Sequence, residues 1–230
     1  MSTRALTVLA VATACPVTAA HADELQDRVL AGARAARADA LSFRRTLVIE
    51  RTDAPRHVRV ERFDPRRPAA ERWSLVSVDG RAPTPKELAQ ARKAKRGPVP
   101  SYADVARWFG APATRTDTAP GYVTFRFARL PKGALKLGPV DASEHVAAEA
   151  LVNVKGAAPF IERVRWRSTG PFRMMLVASV RTMEITGRYR LLPNGSPVPV
   201  EVTSDTAGSL LGKSGRLRTA AAFDEFRIVR

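Results

Sequence analysis

The chain has 230 residues, 45% of them hydrophobic, and a formal net charge of +16 from 38 Lys and Arg against 22 Asp and Glu. This length suits one domain, or at most two small ones, and suffices for a buried core. The hydrophobic content excludes a wholly disordered chain, and the single Cys excludes an intrachain disulfide.

Residues 1–22 have the pattern of a secretory signal peptide. Arg4 provides the positive start, residues 5–14 form an apolar run too short to span a bilayer, and Ala20-His21-Ala22 is a small-residue cleavage site. We therefore predict export to the periplasm and a single mature domain over residues 23–230, without a transmembrane helix. Cys15 follows a loose lipobox, so an outer-membrane lipoprotein anchored through Cys15 is the less favoured alternative.

The basic charge remains after this segment is removed. The mature chain keeps 37 basic against 22 acidic residues, a net charge of +15. An exported protein meets anionic lipid headgroups and acidic partners, whereas nucleic acid is not a normal partner there. Arg outnumbers Lys by 31 to 7, which codon bias in a GC-rich genome also produces. Two interpretations therefore stay open, a functional basic surface and a compositional one.

The mature chain begins with a helical pattern and continues with strands. Between Asp23 and Leu41 the apolar residues recur at steps of three and four, and acidic residues occupy the first turn. Beyond this point the period changes to two, which predicts strands over residues 42–51, 57–63 and 71–78. A turn at Asp79-Gly80 follows.

Two further helices are predicted between residues 84 and 110. Thr84-Pro85-Lys86-Glu87 is a capping box with Pro at the first helical position, which predicts a helix over residues 85–96. Ser101-Tyr102-Ala103-Asp104 opens a shorter helix to Phe109, with Gly110 expected as its C-terminal cap. The first helix carries the candidate basic surface for anionic headgroups: Lys86, Arg92, Lys93, Lys95 and Arg96.

Strands return in the second half of the chain. The alternation predicts them over residues 121–130, 149–154, 161–168, 174–180, 183–192, 198–204, 216–221 and 223–229. Leu192-Pro193-Asn194-Gly195 joins two of them as a hairpin. Successive strands with short connections predict an antiparallel sheet.

One motif imitates a nucleotide-binding loop. Residues 207–214, Ala-Gly-Ser-Leu-Leu-Gly-Lys-Ser, fit the P-loop pattern with Ala in place of the first Gly. A P-loop needs a full helix after it, but Gly215 follows at once and only 16 residues remain after Ser214. We therefore predict a basic, Gly-rich hairpin loop here.

The sequence offers little for catalysis. The mature chain holds two histidines, His57 and His145, and neither stands in a metal-ligand spacing. No Gly-x-Ser-x-Gly motif is present. We expect no catalytic residue, no metal and no cofactor, while a hydrolase with a spatial Ser-His-Asp triad stays open as the least favoured hypothesis.

The apolar residues on the predicted strands say more about function. Met174-Met175-Leu176-Val177 is apolar on both faces of its strand, and Met and aromatic side chains adapt well to lipid chains. A curved sheet covered by few helices can leave a cavity open, although ordinary core packing is the alternative. The candidates for the lining of such a cavity are Trp73, Phe125, Phe127, Trp166, Met174, Met175 and Leu176.

The order of these elements resembles the LolA-like periplasmic lipoprotein-sorting carriers. Val60-Glu61-Arg62-Phe63-Asp64-Pro65 resembles exported bacterial proteins of that superfamily, and Phe223-Asp224-Glu225-Phe226 is similar to its closing strands. The other segments that carry the likeness are residues 71–75, 78–84, 192–199 and 208–215. The resemblance implies an α+β, mainly antiparallel fold: a strongly curved, unclosed half β-barrel covered by the N-terminal helix and a helical insertion near residues 84–110.

The resemblance also implies a function. It is that of a monomeric, non-catalytic periplasmic protein that binds lipid or lipoprotein acyl chains in a hydrophobic cavity. No motif selects which Arg on the early strands corresponds to the carriers' functional Arg. The alternative is an envelope signalling or scaffold protein that binds another envelope protein through its sheet.

Overall fold

A single antiparallel sheet dominates the computed structural model of the chain, which describes residues 23–36, 41–94, 101–138, 140–175 and 178–229. The predicted signal peptide and Cys15 lie outside these residues. The helices and strands of the described part follow in chain order: α1 (Glu24–Ala35), β1 (Leu41–Arg51), β2 (Ala54–Phe63), β3 (Trp73–Val78), α2 (Pro85–Lys93), β4 (Thr114–Ala119), β5 (Tyr122–Phe127), β6 (Lys136–Leu137), β7 (Val140–Asp141), β8 (Val146–Asn153), β9 (Phe160–Ser168), β10 (Phe172–Met175), β11 (Ala178–Leu191), β12 (Pro197–Leu210) and β13 (Lys213–Ile228). Short 3-10 helices cover Ala69–Glu71, Tyr102–Arg107 and Ser143–His145.

Among the described residues the sheet has 11 strands and is not closed. Its order is β3-β2-β1-β13-β12-β11-β9-β8-β5-β4, with β10 paired to β11 beside this path. The strands β6 and β7 form a separate small hairpin. The first strand of the chain pairs with the last, from Leu41 opposite Ile228 to Arg51 opposite Leu217. The prediction of a mainly antiparallel, unclosed sheet with few helices is confirmed.

Helix α1 begins at Glu24, directly after its N-cap Asp23. The carboxylate of Asp23 accepts hydrogen bonds from the backbone N–H groups of Leu25, at 2.9 Å, and Gln26, at 3.3 Å. The helix buries Val29 and Ala33 against the 3-10 helix at residues 102–107 and β9. The helical pattern does not extend to residue 41, because β1 starts there.

The predicted capping box at Thr84 is formed, and a second one is present at Ser101. The Thr84 hydroxyl and the Glu87 carboxylate each accept the other residue's backbone N–H, and α2 begins at Pro85. The second box, at Ser101, opens a 3-10 helix rather than an α-helix. The expected left-handed cap at Gly110 is wrong, since Gly110 does not have a positive φ. A Cβ there would lie 3.1 Å from the Leu30 side chain, so the glycine permits close approach to α1.

Three strand predictions in the second half need correction. Residues 174–180 are not one strand, because β10 and β11 form a hairpin in which Met175 pairs with Ala178. The predicted strands 216–221 and 223–229 are a single strand, β13. Strand β4 was not predicted, since all six of its residues are exposed and it has no apolar alternation.

The apolar residues separate into two clusters. The larger one joins α1 and the segment around the 3-10 helix at residues 102–107 to strands β5, β8, β9 and β11. The smaller one contains Phe43, Phe63 and Phe223, with Trp73 packed against it. The two clusters therefore occupy different parts of the sheet.

Candidate functional site

The cavity candidates on β5 are core residues. Phe125 and Phe127 are each only 1% exposed. The ring of Phe109 lies 5.3 Å from that of Phe125, and the ring of Trp108 lies 5.2 Å from that of Phe127, both edge to face. The side chains that follow the 3-10 helix thus fill the space above β5.

Trp166 and Met174 pack against the same cluster. Both are partly buried, and the Trp166 ring lies 5.8 Å from that of Trp108. The indole nitrogen of Trp166 is buried and has no hydrogen-bond partner among the described residues. The side chain of Met175 and the whole of Leu176 lie outside the described residues.

Trp73 belongs to the other cluster. Its ring lies 5.7 Å from that of Phe43 and 5.2 Å from that of Phe63, while the Arg45 guanidinium lies 4.1 Å above it. The structure therefore does not bring Trp73 together with Phe125, Phe127, Trp166 and Met174 around one cavity.

A buried ion pair lies beside Trp73. Glu61 on β2 is 1% exposed, and its Oε2 accepts a hydrogen bond from Nε of Arg45 at 3.1 Å. Arg59 approaches the other carboxylate oxygen at 3.4 Å. Such a buried carboxylate must be paired to remain charged. The sequence did not indicate this ion pair, because the alternating pattern of β2 is the same whether its charged side chains face water or pair with one another.

An apolar pocket of about 430 Å³ opens at the C-terminal end of α1. Its described walls come from five separate places: the last turn of α1, Leu41 at the start of β1, residues 158–160 before and in β9, residues 191–197 around the β11–β12 turn, and Ile228 at the end of β13. Tyr102 completes the lining. None of these lining residues is charged, so the pocket suits an uncharged, mostly hydrocarbon group.

Tyr102 forms a neutral wall of this pocket. Its hydroxyl accepts a hydrogen bond from the backbone N–H of Ile161 at 2.8 Å, and the residue is 2% exposed. Burial raises the pKa of Tyr102 to about 12, so the hydroxyl stays protonated at neutral pH. Its ring stands edge to face against that of Tyr189 at 5.3 Å.

Two exposed apolar side chains border the pocket. Leu191 is 37% exposed and Ile228 is 56% exposed, and an exposed basic residue precedes each of them in sequence, Arg190 and Arg227. None of the sequence-predicted cavity residues that the structure describes lines this pocket. The only local signal near it was the Leu192-Pro193-Asn194-Gly195 hairpin, whose turn is confirmed by a hydrogen bond from Gly195 N–H to the Leu192 carbonyl.

The predicted basic surface is present on α2 as far as the structure describes it. Lys86, Arg92 and Lys93 are exposed, while Lys95 and Arg96 lie outside the described residues. Arg81 pairs with Glu87 at 2.8 Å and, with the Thr84 N–H, lowers the pKa of Glu87 to about 2.

Much of the remaining basic charge is paired across strands. Glu184 binds Arg165 at 3.3 Å and Arg167 at 2.9 Å on the face opposite Trp166. Asp205, in the next strand, pairs with Arg218 at 3.3 Å and also with Arg216, and these arginines hold the pKa of Asp205 below its ordinary value. Such exposed pairs neutralise part of the net charge but stabilise little.

The two histidines have different surroundings. Nδ1 of His57 lies 3.1 Å from Oδ2 of Asp79, and both side chains are exposed. The Val58 N–H and then His57 lower the pKa of Asp79. His145 stacks on Phe172 with ring centroids 4.7 Å apart. Neither arrangement, as the described residues show it, includes a serine hydroxyl bonded to the imidazole.

Comparison with known proteins gives no relative from which to transfer a role. A scan of protein-family models, a search of curated proteins and a search of solved structures each found no match to this chain. In the part of the chain that the structure describes, no helix is both long and apolar enough to cross a membrane.

Proposed function

We propose that this is a non-catalytic, exported binding protein for lipid or lipoprotein acyl chains, of the LolA-like kind. The observation that carries the proposal is the pocket of about 430 Å³ between α1 and the ends of β1, β9, β11 and β13, whose described walls carry no charged side chain. Its volume falls in the range of small-molecule sites, and its chemistry suits a hydrocarbon chain.

The proposal includes a finer description of the fold. In it, the sheet curls into a half-barrel, and α1 together with the insertion after β3 covers its inner face. Support comes from the packing of α1 on the 3-10 helix and β9, and from the aromatic side chains Trp108 and Phe109 over β5. In this arrangement the pocket lies at the rim of the covered face, where a chain can enter without displacing the core.

The energetics favour an acyl chain over a polar ligand. Each buried methylene contributes about 0.8 kcal/mol, so micromolar binding needs on the order of 15 buried methylenes once an entropic cost of about 4 kcal/mol is included. The hydroxyl oxygen of Tyr102 accepts the N–H of Ile161, and the described walls offer no charged group to a polar ligand.

Gly32 allows a sharp test of this site. It lines the pocket, and a Cβ built on it meets nothing within 4 Å. Gly32→Phe therefore adds a large apolar side chain to the pocket lining from an exposed helix position without a clash at Cβ, whereas Gly32→Ala adds a single methyl group. Both changes favour the helix, by up to about 1 kcal/mol for Ala.

The assay is binding of a fluorescent long-chain fatty acid to the purified protein, with native mass spectrometry of protein prepared from the cell envelope. We expect Gly32→Phe to weaken probe binding at least about tenfold and Gly32→Ala to preserve it. Copurified lipid should be present in the Ala variant and reduced in the Phe variant. Wild-type protein that neither carries lipid nor binds the probe would contradict the proposal.

A further inference from the structure

The hairpin between β12 and β13 ends in an unusual turn. Its two central residues, Leu211 and Gly212, have φ angles of 51° and 79°, as a type I′ turn requires. The chain builds the same turn with ordinary residues at Asp79 and Gly80, where φ is 50° and 79°. A leucine in the left-handed region is uncommon, because its side chain gives no local hydrogen bond that offsets the steric cost.

This leucine is also the most exposed large apolar residue in the described part of the chain. Leu211 is 73% exposed, Leu210 beside it is 57% exposed, and Leu217 is 40% exposed. Leu210 and Leu217 lie on the same face of the hairpin, and the row between them is the glycine pair Gly208–Gly215. At this end of the hairpin, Leu210 and Leu217 are therefore separated only by a pair of glycines, which have no side chain to cover them.

The surroundings of this tip are basic and free of acidic residues in sequence. Residues 206–217 contain Lys213 and Arg216 and no Asp or Glu, and of these two cations Arg216 is paired with Asp205 on β12. The neighbouring β10–β11 hairpin, residues 169–182, contains Arg173 and Arg181 and again no Asp or Glu. Lys213 stands directly opposite Leu210 in the register. The β1–β2 turn lies next to β13 on the other side of the tip. Its residues 50–56 include two acidic and two basic side chains, so this turn adds no net charge.

We propose that the β12–β13 tip is a membrane-docking element that inserts Leu210 and Leu211 into the headgroup region of an anionic lipid bilayer. A bilayer accepts adjacent leucines without a shaped pocket, and its anionic headgroups complement the basic residues around them. A protein partner would instead need a larger, shaped apolar surface. The tip lies at the opposite ends of β12 and β13 from Pro197 and Ile228, which line the acyl pocket, so docking does not depend on that pocket.

The test is flotation of the purified protein with vesicles of phosphatidylglycerol and phosphatidylethanolamine, compared with vesicles of phosphatidylcholine alone. We expect binding to the anionic vesicles, weakened by salt, and at least about tenfold weaker binding of the Leu210→Ser/Leu211→Ser double variant. The matched control is Val76→Ser on the edge strand β3, where Val76 is 49% exposed; it should bind like the wild type.

A second measurement locates the tip directly. Tryptophan emission of Leu211→Trp should shift to shorter wavelength when anionic vesicles are added and be quenched by brominated lipid, whereas Val76→Trp should show neither effect. Equal vesicle binding by the double serine variant, or an indole at position 211 that stays in water, would overturn the proposal. So would concentration-dependent self-association that the double variant abolishes, because the partner would then be a second copy.

The two proposals fail separately. Gly32→Phe should lose the fatty-acid probe but keep vesicle binding, and the double serine variant should show the reverse. A wild-type protein that binds the probe and no vesicle would overturn only the docking element.

Discussion

The unusual leucine in the β12–β13 turn makes a prediction about stability that can be worked from its geometry. Replacing Leu211 by Asn restores a residue that adopts the left-handed conformation readily, which removes a cost of roughly 1–2 kcal/mol. Leu211 is 73% exposed, so the substitution gives up only about a quarter of the burial energy of a leucine, roughly 0.5 kcal/mol. We therefore expect Leu211→Asn to raise the free energy of unfolding by about 1 kcal/mol.

The assay is thermal and urea unfolding followed by circular dichroism. A gain of about 1 kcal/mol corresponds to a rise of about 2–4 °C in Tm for a domain of this size, with an unchanged urea m-value. The matched control is Leu210→Asn, the same substitution one residue earlier, where φ is not positive. Asn is disfavoured in a strand, so this control should lose stability. A Leu211→Asn variant that is no more stable than the wild type would refute the reasoning, because the turn would then carry no strain.

Three further predictions concern residues outside this turn. Tyr102→Phe should lower the free energy of unfolding by about 1–3 kcal/mol in urea, because a buried backbone N–H loses its acceptor, while fatty-acid binding should persist. Gly208→Ala should cost about 1–3 kcal/mol, since its Cβ would collide with a backbone carbonyl of β11, whereas Gly215→Ala, directly opposite, should change stability little; equal effects would contradict this. The pKa of Glu87 is lowered from 4.5 to about 2 by Arg81, so its contribution is complete above pH 4.5 and is lost as the pH falls toward 2. Thermal melts of Glu87→Gln should lack that part of the acid dependence, and an unchanged pH profile would count against it.

Features that depend on a few neighbouring residues could be predicted from the sequence. The capping box at Thr84 and the turns at Asp79-Gly80 and Leu192-Pro193-Asn194-Gly195 were predicted correctly, because caps and tight turns are set by local backbone chemistry. The antiparallel class followed from the alternation and the short connections. The P-loop-like segment was correctly assigned to a hairpin, and its glycines serve a turn at Gly212 and a close strand approach at Gly208.

Element boundaries failed where local patterns were ambiguous. Met174-Met175-Leu176-Val177 has no alternation to separate a strand from the end of a hairpin, so the predicted strand 174–180 combines the end of β10 with the start of β11. The polar strand β4 gave no apolar signal at all, because both of its faces are exposed. Conversely, β13 was divided in two near Phe223, although the strand continues to Ile228.

By itself the sequence determined the β-rich class, the caps, the turns and the basic charge, since each depends on composition or on contacts between near neighbours. Only the tertiary structure decided which side chains meet. It placed Phe125 and Phe127 under Trp108 and Phe109 as core, and paired Glu61 with Arg45. The apolar pocket is assembled from segments as far apart as residues 32 and 228, because β1 pairs with β13. No local period encodes such a pairing, and the site therefore follows from the strand order rather than from any motif.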